Sequence, residues 1–283
     1  MKSLFISISL IFWVFCSAAS TIDITEAIKL GKIKVAPTFS KLGHKGITLT
    51  VSNITPQSMN IAIPGGTTFS PAGEDEQILM NIEEVQLALN AGETKSVLVG
   101  GYCTQLRNTT PSLDNTFKIG KTSNALLLGF LDFLKTNKPS PTNYQAAVWA
   151  LTDNESIASI EVMSPADQQL REYIAKQTSR SNPWYSNKQQ IHAEPGRVIQ
   201  RNSVSITGDL EFSLNETTHF EIVVVNSNNE VKMGLPSKEP IIKNIKHTFR
   251  FSVTVRGWES GQYHVLIRKK SDGSKIASYP FEV

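Results

Sequence analysis

The sequence predicts a mainly β protein in two units. The first is α+β, a β-sandwich-like sheet followed by three helices, and the second is an all-β sandwich. Three observations lead there. Ile47, Leu49 and Val51 alternate with Thr48, Thr50 and Ser52, and Phe249, Phe251, Val253 and Val255 alternate with Arg250, Ser252 and Thr254; half-buried strands require this period of two. Between those regions, Leu126 to Leu134, Tyr144 to Leu151, and Leu170, Tyr173 and Ile174 carry apolar residues at helical spacing. A stretch rich in Ser, Asn, Gln and Pro, residues 179–197, then reads as a linker.

Taken in order, residues 1–19 read as a secretory signal. Lys2 is followed by the apolar run Leu4 to Phe15, and Ser17 and Ala19 occupy the −3 and −1 positions of a small-residue cleavage site. The run is too short for an ordinary membrane span, and no second span follows. The expectation is export, to the periplasm, the cell surface or the medium, with cleavage near Ala19. The first unit is expected over 20–178, with strands to about 120 and helices over about 121–178. Thr21 to Leu30 forms a helical or extended lead-in. Met59, Ile61 and Ile63 make a strand that ends at Pro64-Gly65-Gly66, and Val97, Val99, Gly101 and Cys103 share one strand phase. The first helix is apolar on most sides and so predicted buried; it stops at Lys138-Pro139-Ser140-Pro141. Thr142 or Asn143 is placed to cap the second helix, and Ser164-Pro165 to open the third. The second unit is expected over 198–283, with strands at Val204–Leu214, His219–Val225, His247–Arg256, Tyr263–Ile267 and Ile276–Val283 and a hairpin turn at Ser271-Asp272-Gly273-Ser274. Such a series without a helix fits an immunoglobulin- or fibronectin-like sandwich.

Composition narrows the function classes. Hydrophobic residues at 40% and charged residues at 19% describe a globular chain. Without Lys2 the chain has 27 basic and 25 acidic residues, split 16 and 16 before residue 198 and 11 and 9 after it. Neither half is a basic module, so nucleic-acid binding has no electrostatic support. Cys16 lies within the signal, which leaves Cys103 with no internal disulfide partner.

Few residues carry chemistry. His44, His192, His219, His247 and His264 lack ligand spacing, so no metal or other cofactor is expected. Glu74-Asp75-Glu76 lacks the alternating pattern of a calcium loop and reads as solvated. No G-x-S-x-G or S-x-x-K motif supports a serine hydrolase. The remaining pair is Cys103 and Gln145. Cys103 follows Gly101-Tyr102; Gln145 opens Gln145-Ala146-Ala147-Val148-Trp149-Ala150-Leu151-Thr152-Asp153-Asn154 at a predicted helix start. Read from the residues alone, Cys103 also suits a small core residue in phase with Val97 and Val99, and Gln145 a side chain bonding to backbone in a first helical turn.

Those two pieces resemble the aromatic-Cys and Q-x-A-[IV]-W motifs of bacterial surface thioester domains, with cysteine first and glutamine second. That resemblance implies a thioester between the Cys103 sulfur and the Gln145 carbonyl. A wider pattern, Ile63-Pro64-Gly65-Gly66-Thr67-Thr68-Phe69 with Gln77, Tyr102-Cys103 and Gln145 to Trp149, resembles a secreted bacterial domain of unknown function, which implies a shared fold and no activity. The functional expectation is an exported, non-enzymatic binding or structural protein of the bacterial envelope, with an envelope protein or glycan as partner. One alternative is a covalent adhesin using Cys103 and Gln145. Another is a secreted hydrolase or carbohydrate-active protein with acidic residues gathered in a cleft.

Overall fold

The structure is a computed structural model that describes residues 21–236, 240 and 242–283. The signal segment and Cys16 lie outside the described residues. The protein is mainly β and sandwich-like. A short lead-in, β1 (Thr21–Asp23) and α1 (Ile24–Lys29), is followed by β2 (Ile33–Phe39), β3 (Gly43–Asn53), β4 (Met59–Ile63), β5 (Thr67–Pro71), β6 (Leu79–Met80), β7 (Val85–Leu89), β8 (Thr94–Cys103) and β9 (Phe117–Lys121). Then come α2 (Ala125–Thr136), α3 (Tyr144–Thr152) and α4 (Pro165–Gln177). The second strand series is β10 (Tyr185–His192), β11 (Gln200–Ser213), β12 (Phe220–Asn226), β13 (Val231–Pro236), β14 (Lys246–Thr254), β15 (Gln262–Lys269) and β16 (Lys275–Glu282).

The first unit has three layers. A six-stranded sheet runs β2-β3-β8-β6-β5-β9, and a three-stranded sheet runs β1-β4-β7 with β1 parallel to β4. Alternation decides what each face meets. Ile47, Leu49, Val51, Val99 and Cys103 point into a core shared with Ile61, Ile63 and Leu89 of the small sheet. Met80, Ile82 and Tyr102 point the other way, into a second core made with α2, α3 and α4. Fully buried β3 side chains such as Leu49 each contribute about 1.5–3 kcal/mol of transfer free energy.

The helices begin for identifiable reasons. The Asn124 side chain accepts from the Leu126 and Leu127 amides, and Ser164 accepts from Asp167 N ahead of Pro165 at the first helical position. α3 differs from expectation. Asn143 sits at its N-cap position without making a side-chain cap bond. It is 3% exposed; Nδ2 donates to the Glu161 carbonyl at 2.8 Å and to Asp167 Oδ1 at 2.9 Å, and Oδ1 accepts from Glu161 N. The 3-10 turn Pro141–Asn143 starts α3, which frees Asn143 to tie the loops together. Asp167, 1% exposed, is the hub of that seam and accepts from Ser140 N, Asn143 Nδ2, Met163 N and Ser164 Oγ. Burial alone raises its pKa, yet these bonds hold the carboxyl below the ordinary aspartate value.

The second unit packs β10-β11-β14 against β13-β12-β15-β16. Its core holds Ile206, Leu210, Ile222, Val224, Phe251, Val253, Val265, Ile267 and Phe281. Two strands differ from the reading of the sequence. Residues 185–192, expected in the linker, form β10, antiparallel to β11 along its whole length. β13 falls in a region that carried no strand expectation. Phe249 shares the phase of Phe251 but is 39% exposed, because the first half of β14 runs beyond the buried part of the sheet and burial begins at Phe251.

A candidate thiol–carboxamide site

Cys103 ends β8, where the sheet loses a neighbour. β3 pairs with β8 only as far as Gly43 opposite Gly101, across an irregularity between Gly43 and Ile47. On the other side Leu79 of β6 lies opposite Cys103, and Thr104 N donates to the Ile78 carbonyl. In an antiparallel ladder bonded pairs alternate with unbonded ones, so the Cys103 N–H and C=O face away from β6. Gln145 fills that vacancy. The Cys103 amide donates to Gln145 Oε1 at 3.0 Å, and Gln145 Nε2 donates to the Cys103 carbonyl at 2.9 Å. The carboxamide behaves as one more residue of strand.

The helix delivers Gln145 by its stripes. Tyr144, Val148 and Leu151 enter the core beneath α2 and α4. Trp149, one turn after Gln145, enters the core that contains Cys103. α3 thus straddles both cores, and its Gln145 face meets the end of β8.

The Cys103 side chain is fully buried. Burial, with a smaller contribution from the Asp153 carboxylate, pushes the thiol well above its ordinary pKa, so the sulfur keeps its proton. Asp153 is held at the end of α3: Oδ1 accepts from Leu106 N at 3.0 Å and Oδ2 from Thr152 Oγ1 at 2.6 Å. These bonds fix the loop that leaves Cys103.

A cover comes from the second strand series. The tip of the β10–β11 hairpin is fastened to Thr110, whose N donates to the Arg197 carbonyl at 2.9 Å and whose carbonyl accepts from Gly196 N at 3.0 Å. Thr110 Oγ1 also donates to the Glu194 carbonyl. Ile199 of this tip, 8% exposed, joins the cluster of Cys103 and Trp149. The Arg201 guanidinium carbon lies 5.7 Å from the centroid of a Trp149 ring, and its Nη1 is 2.7 Å from Glu155 Oε1. The sequence pattern brought out Cys103 and Gln145. It missed Asp153 as the anchor of the exit loop, although Asp153 lies within the quoted motif, and it missed Ile199 and Arg201, which arrive from a distant hairpin and leave no local signal.

One reaction that joins a thiol to a carboxamide is thioester formation. In it the thiol sulfur replaces the Gln145 side-chain nitrogen on the carbonyl carbon, the thiol proton leaves with that nitrogen as ammonia, and a thioester remains. The Cys103 N–H donates to the Gln145 carbonyl oxygen, and a sulfur held close to that carbonyl would lose less entropy in reaching it.

The other sequence candidates do not converge. Among the described residues no group of three or more His, Cys, Asp or Glu is placed to hold a metal ion. Glu76 of the acidic loop is bound internally, accepting from Ser112 and Asn115. Glu83, Glu84 and Asp132 do share a groove of about 880 Å3 with Leu128, Leu131 and Tyr144, but Asp132 is 2.6 Å from Lys135 Nζ and Glu84 accepts from Gln86. No helix among the described residues is long and apolar enough to cross a membrane.

No family model matches the chain, and no curated protein matches it. Among solved structures, the β-glucosidase of Kluyveromyces marxianus aligns in a selenomethionine-labelled form at 13% identity and in complex with glucose at 12%, both with a TM-score of 0.22. Each alignment covers 84% of this chain, which spans 44% of the β-glucosidase. A likeness at that score carries no argument about fold or activity.

Proposed function

We propose that this chain is an exported binding protein of the bacterial envelope or surface that attaches covalently to an amine-bearing partner through a thioester between Cys103 and Gln145. One observation carries the reading: the Gln145 carboxamide is docked on both backbone groups of Cys103, a residue whose side chain water does not reach. Burial protects a thioester from hydrolysis, and the Cys103 N–H stabilises charge on the carbonyl oxygen during both formation and capture. Capture by a partner amine would form an amide and return the proton to sulfur.

Intact-mass analysis tests the reading. A thioester lowers the mass by about 17 Da through loss of ammonia, Cys103→Ala abolishes the loss, and methylamine then adds about 31 Da to the intact thioester form. An unshifted mass with one titratable thiol after unfolding overturns it. Gln145 would then serve only as a clamp on the end of β8, and the chain as a non-covalent binding or structural protein for an envelope protein or glycan.

A further inference from the structure

A pocket of about 510 Å3 opens at one end of the second unit, between the β10–β11 hairpin and the turn that joins β14 to β15. Its volume falls in the range of about 300–1,000 Å3 that small-ligand pockets occupy. Irregular backbone shapes it. β11 carries one extra residue, Val204, where the register shifts between Lys188 and Gln189, and a bulge of this kind bends the strand. β14 ends at Thr254, and Val255 to Trp258 form a β-turn closed by Trp258 N donating to the Val255 carbonyl at 2.9 Å. Gly257 has φ +80° at the third position of that turn, where a side chain is disfavoured. The return into β15 is held as well: Gly261 and Val283 exchange two backbone hydrogen bonds of 3.1 Å, and the Tyr263 hydroxyl donates to the Glu259 carbonyl. The fold therefore sets the walls before any ligand arrives.

The lining divides into groups already engaged and groups that are not. Arg201 is tied to Glu155 and Gln189, and Ser203 accepts from Asn187. Gln190, Asn202, Arg256 and Ser260 are exposed, and among the described residues no hydrogen bond or ion pair engages their side chains. Gln190 and Asn202 stand opposite one another across the hairpin, so both point to one face of it. Trp258 lines the same pocket and is half-buried; its ring packs on Tyr263 with centroids 5.1 Å apart, and its indole N–H is also unbonded among the described residues. No acidic side chain lines the pocket.

A ligand for this set has to offer an apolar patch and several hydroxyls together. A tryptophan face carries negative quadrupole charge and attracts C–H groups, while amides and a guanidinium bond to neutral hydroxyls. A pyranose has both parts, C–H groups on a ring face and hydroxyls around the rim. We propose that this pocket binds a pyranose unit of a glycan, stacked on Trp258, with its hydroxyls bonded by Gln190, Asn202 and Arg256. The site does not depend on the Cys103–Gln145 chemistry.

Titration of the full chain with cellobiose, maltose, lactose, N,N′-diacetylchitobiose and glucuronate, followed by calorimetry and tryptophan fluorescence, tests the proposal. The expected result is saturable binding of at least one probe with a dissociation constant of about 10 mM or tighter, and a blue shift of emission as sugar displaces water from Trp258. Trp258→Ala should weaken binding at least about tenfold, and Trp258→Phe, which keeps a ring, should weaken it less. Trp258 packs on Tyr263, so its replacement can disturb the fold; Asn202→Ala and Arg256→Ala change exposed side chains and should each weaken binding about threefold or more in a folded protein. Tighter binding of glucuronate than of the neutral disaccharides supports the site and sets an acidic sugar against Arg256. Absence of saturable binding by every probe, or unchanged binding in both exposed variants, overturns the proposal.

Discussion

The two units solve the same packing problem with different materials. The second is close to a pure apolar sandwich: Ser186 and Asn187 are its buried polar residues among the described ones, the first bonded to Arg171 of α4 and the second to Ser203 and the Glu282 carbonyl. The first buries Asn53, Thr67, Gln77, Asn81, Thr110, Asn143, Asp167 and Arg171. Each of these bonds to backbone that no ladder serves. Asn53 Nδ2 donates to the carbonyls of Gln57 and Asn90, Asn81 Oδ1 accepts from Gly100 N, and Gln77 Nε2 donates to the Asn108 carbonyl. Short strands that change partners leave many buried amides and carbonyls unpaired, and side-chain amides are suited to satisfying them. Gln145 on Cys103 is one more case, and in that case the amide has been set beside a nucleophile. The candidate chemistry therefore sits where the backbone is irregular, in the unit that needs polar clamps.

This contrast can be broken experimentally. In the apolar unit Phe251→Ala should cost about 3–5 kcal/mol in urea unfolding, since Phe251 is 1% exposed at the centre of the sandwich. In the polar unit Asp167→Ala should cost about 3 kcal/mol, because Ser140 N, Met163 N and Asn143 Nδ2 all lose their acceptor. A cost below about 1 kcal/mol would mean that the seam does not hold the helices. The same carboxyl gives the first unit an acid weakness. Its folded pKa lies below its unfolded value, so its contribution is complete above the unfolded pKa and disappears as pH falls through the folded one. Stability should decline below about pH 4, and less steeply in Asp167→Asn. Gln145→Ala removes two bonds to Cys103 and should cost about 1–2 kcal/mol when measured against a Cys103→Ala background, in which no thioester can form. At the small end, breaking the exposed Lys246–Glu211 pair should change stability by less than about 0.5 kcal/mol.

How much the sequence disclosed follows the same division. β3, β4 and β14 were legible because one face of each is buried, α2 because its apolar run stops at Lys138-Pro139-Ser140-Pro141, and α4 because Ser164-Pro165 marks its start. β10 was hidden: Tyr185-Ser186-Asn187 is buried throughout and the rest of the strand, apart from an exposed Ile191, is polar, so no period of two develops. β13 carries Gly234 and Lys232 on a sheet edge and is equally silent. Asn143 looked like a cap because caps and loop ties use the same side chain; only the neighbouring Glu161 and Asp167, far along the chain, decide between them. The site pair stood out through its motif, whereas the Ile199 and Arg201 cover depends on a long-range hairpin that no local pattern records.

The attachment of the hairpin tip at Thr110 bears on how this chain can be divided. A cut between the units, at the Ser- and Asn-rich stretch before Trp184, would separate Thr110 from Gly196 and Arg197 and remove Ile199 from beside Cys103 and Trp149. The first unit produced by itself would therefore not be a smaller copy of the same module. It would lack the hairpin tip that closes one side of the core holding Cys103 and Trp149, and recombination of either half with a foreign neighbour would carry the same penalty.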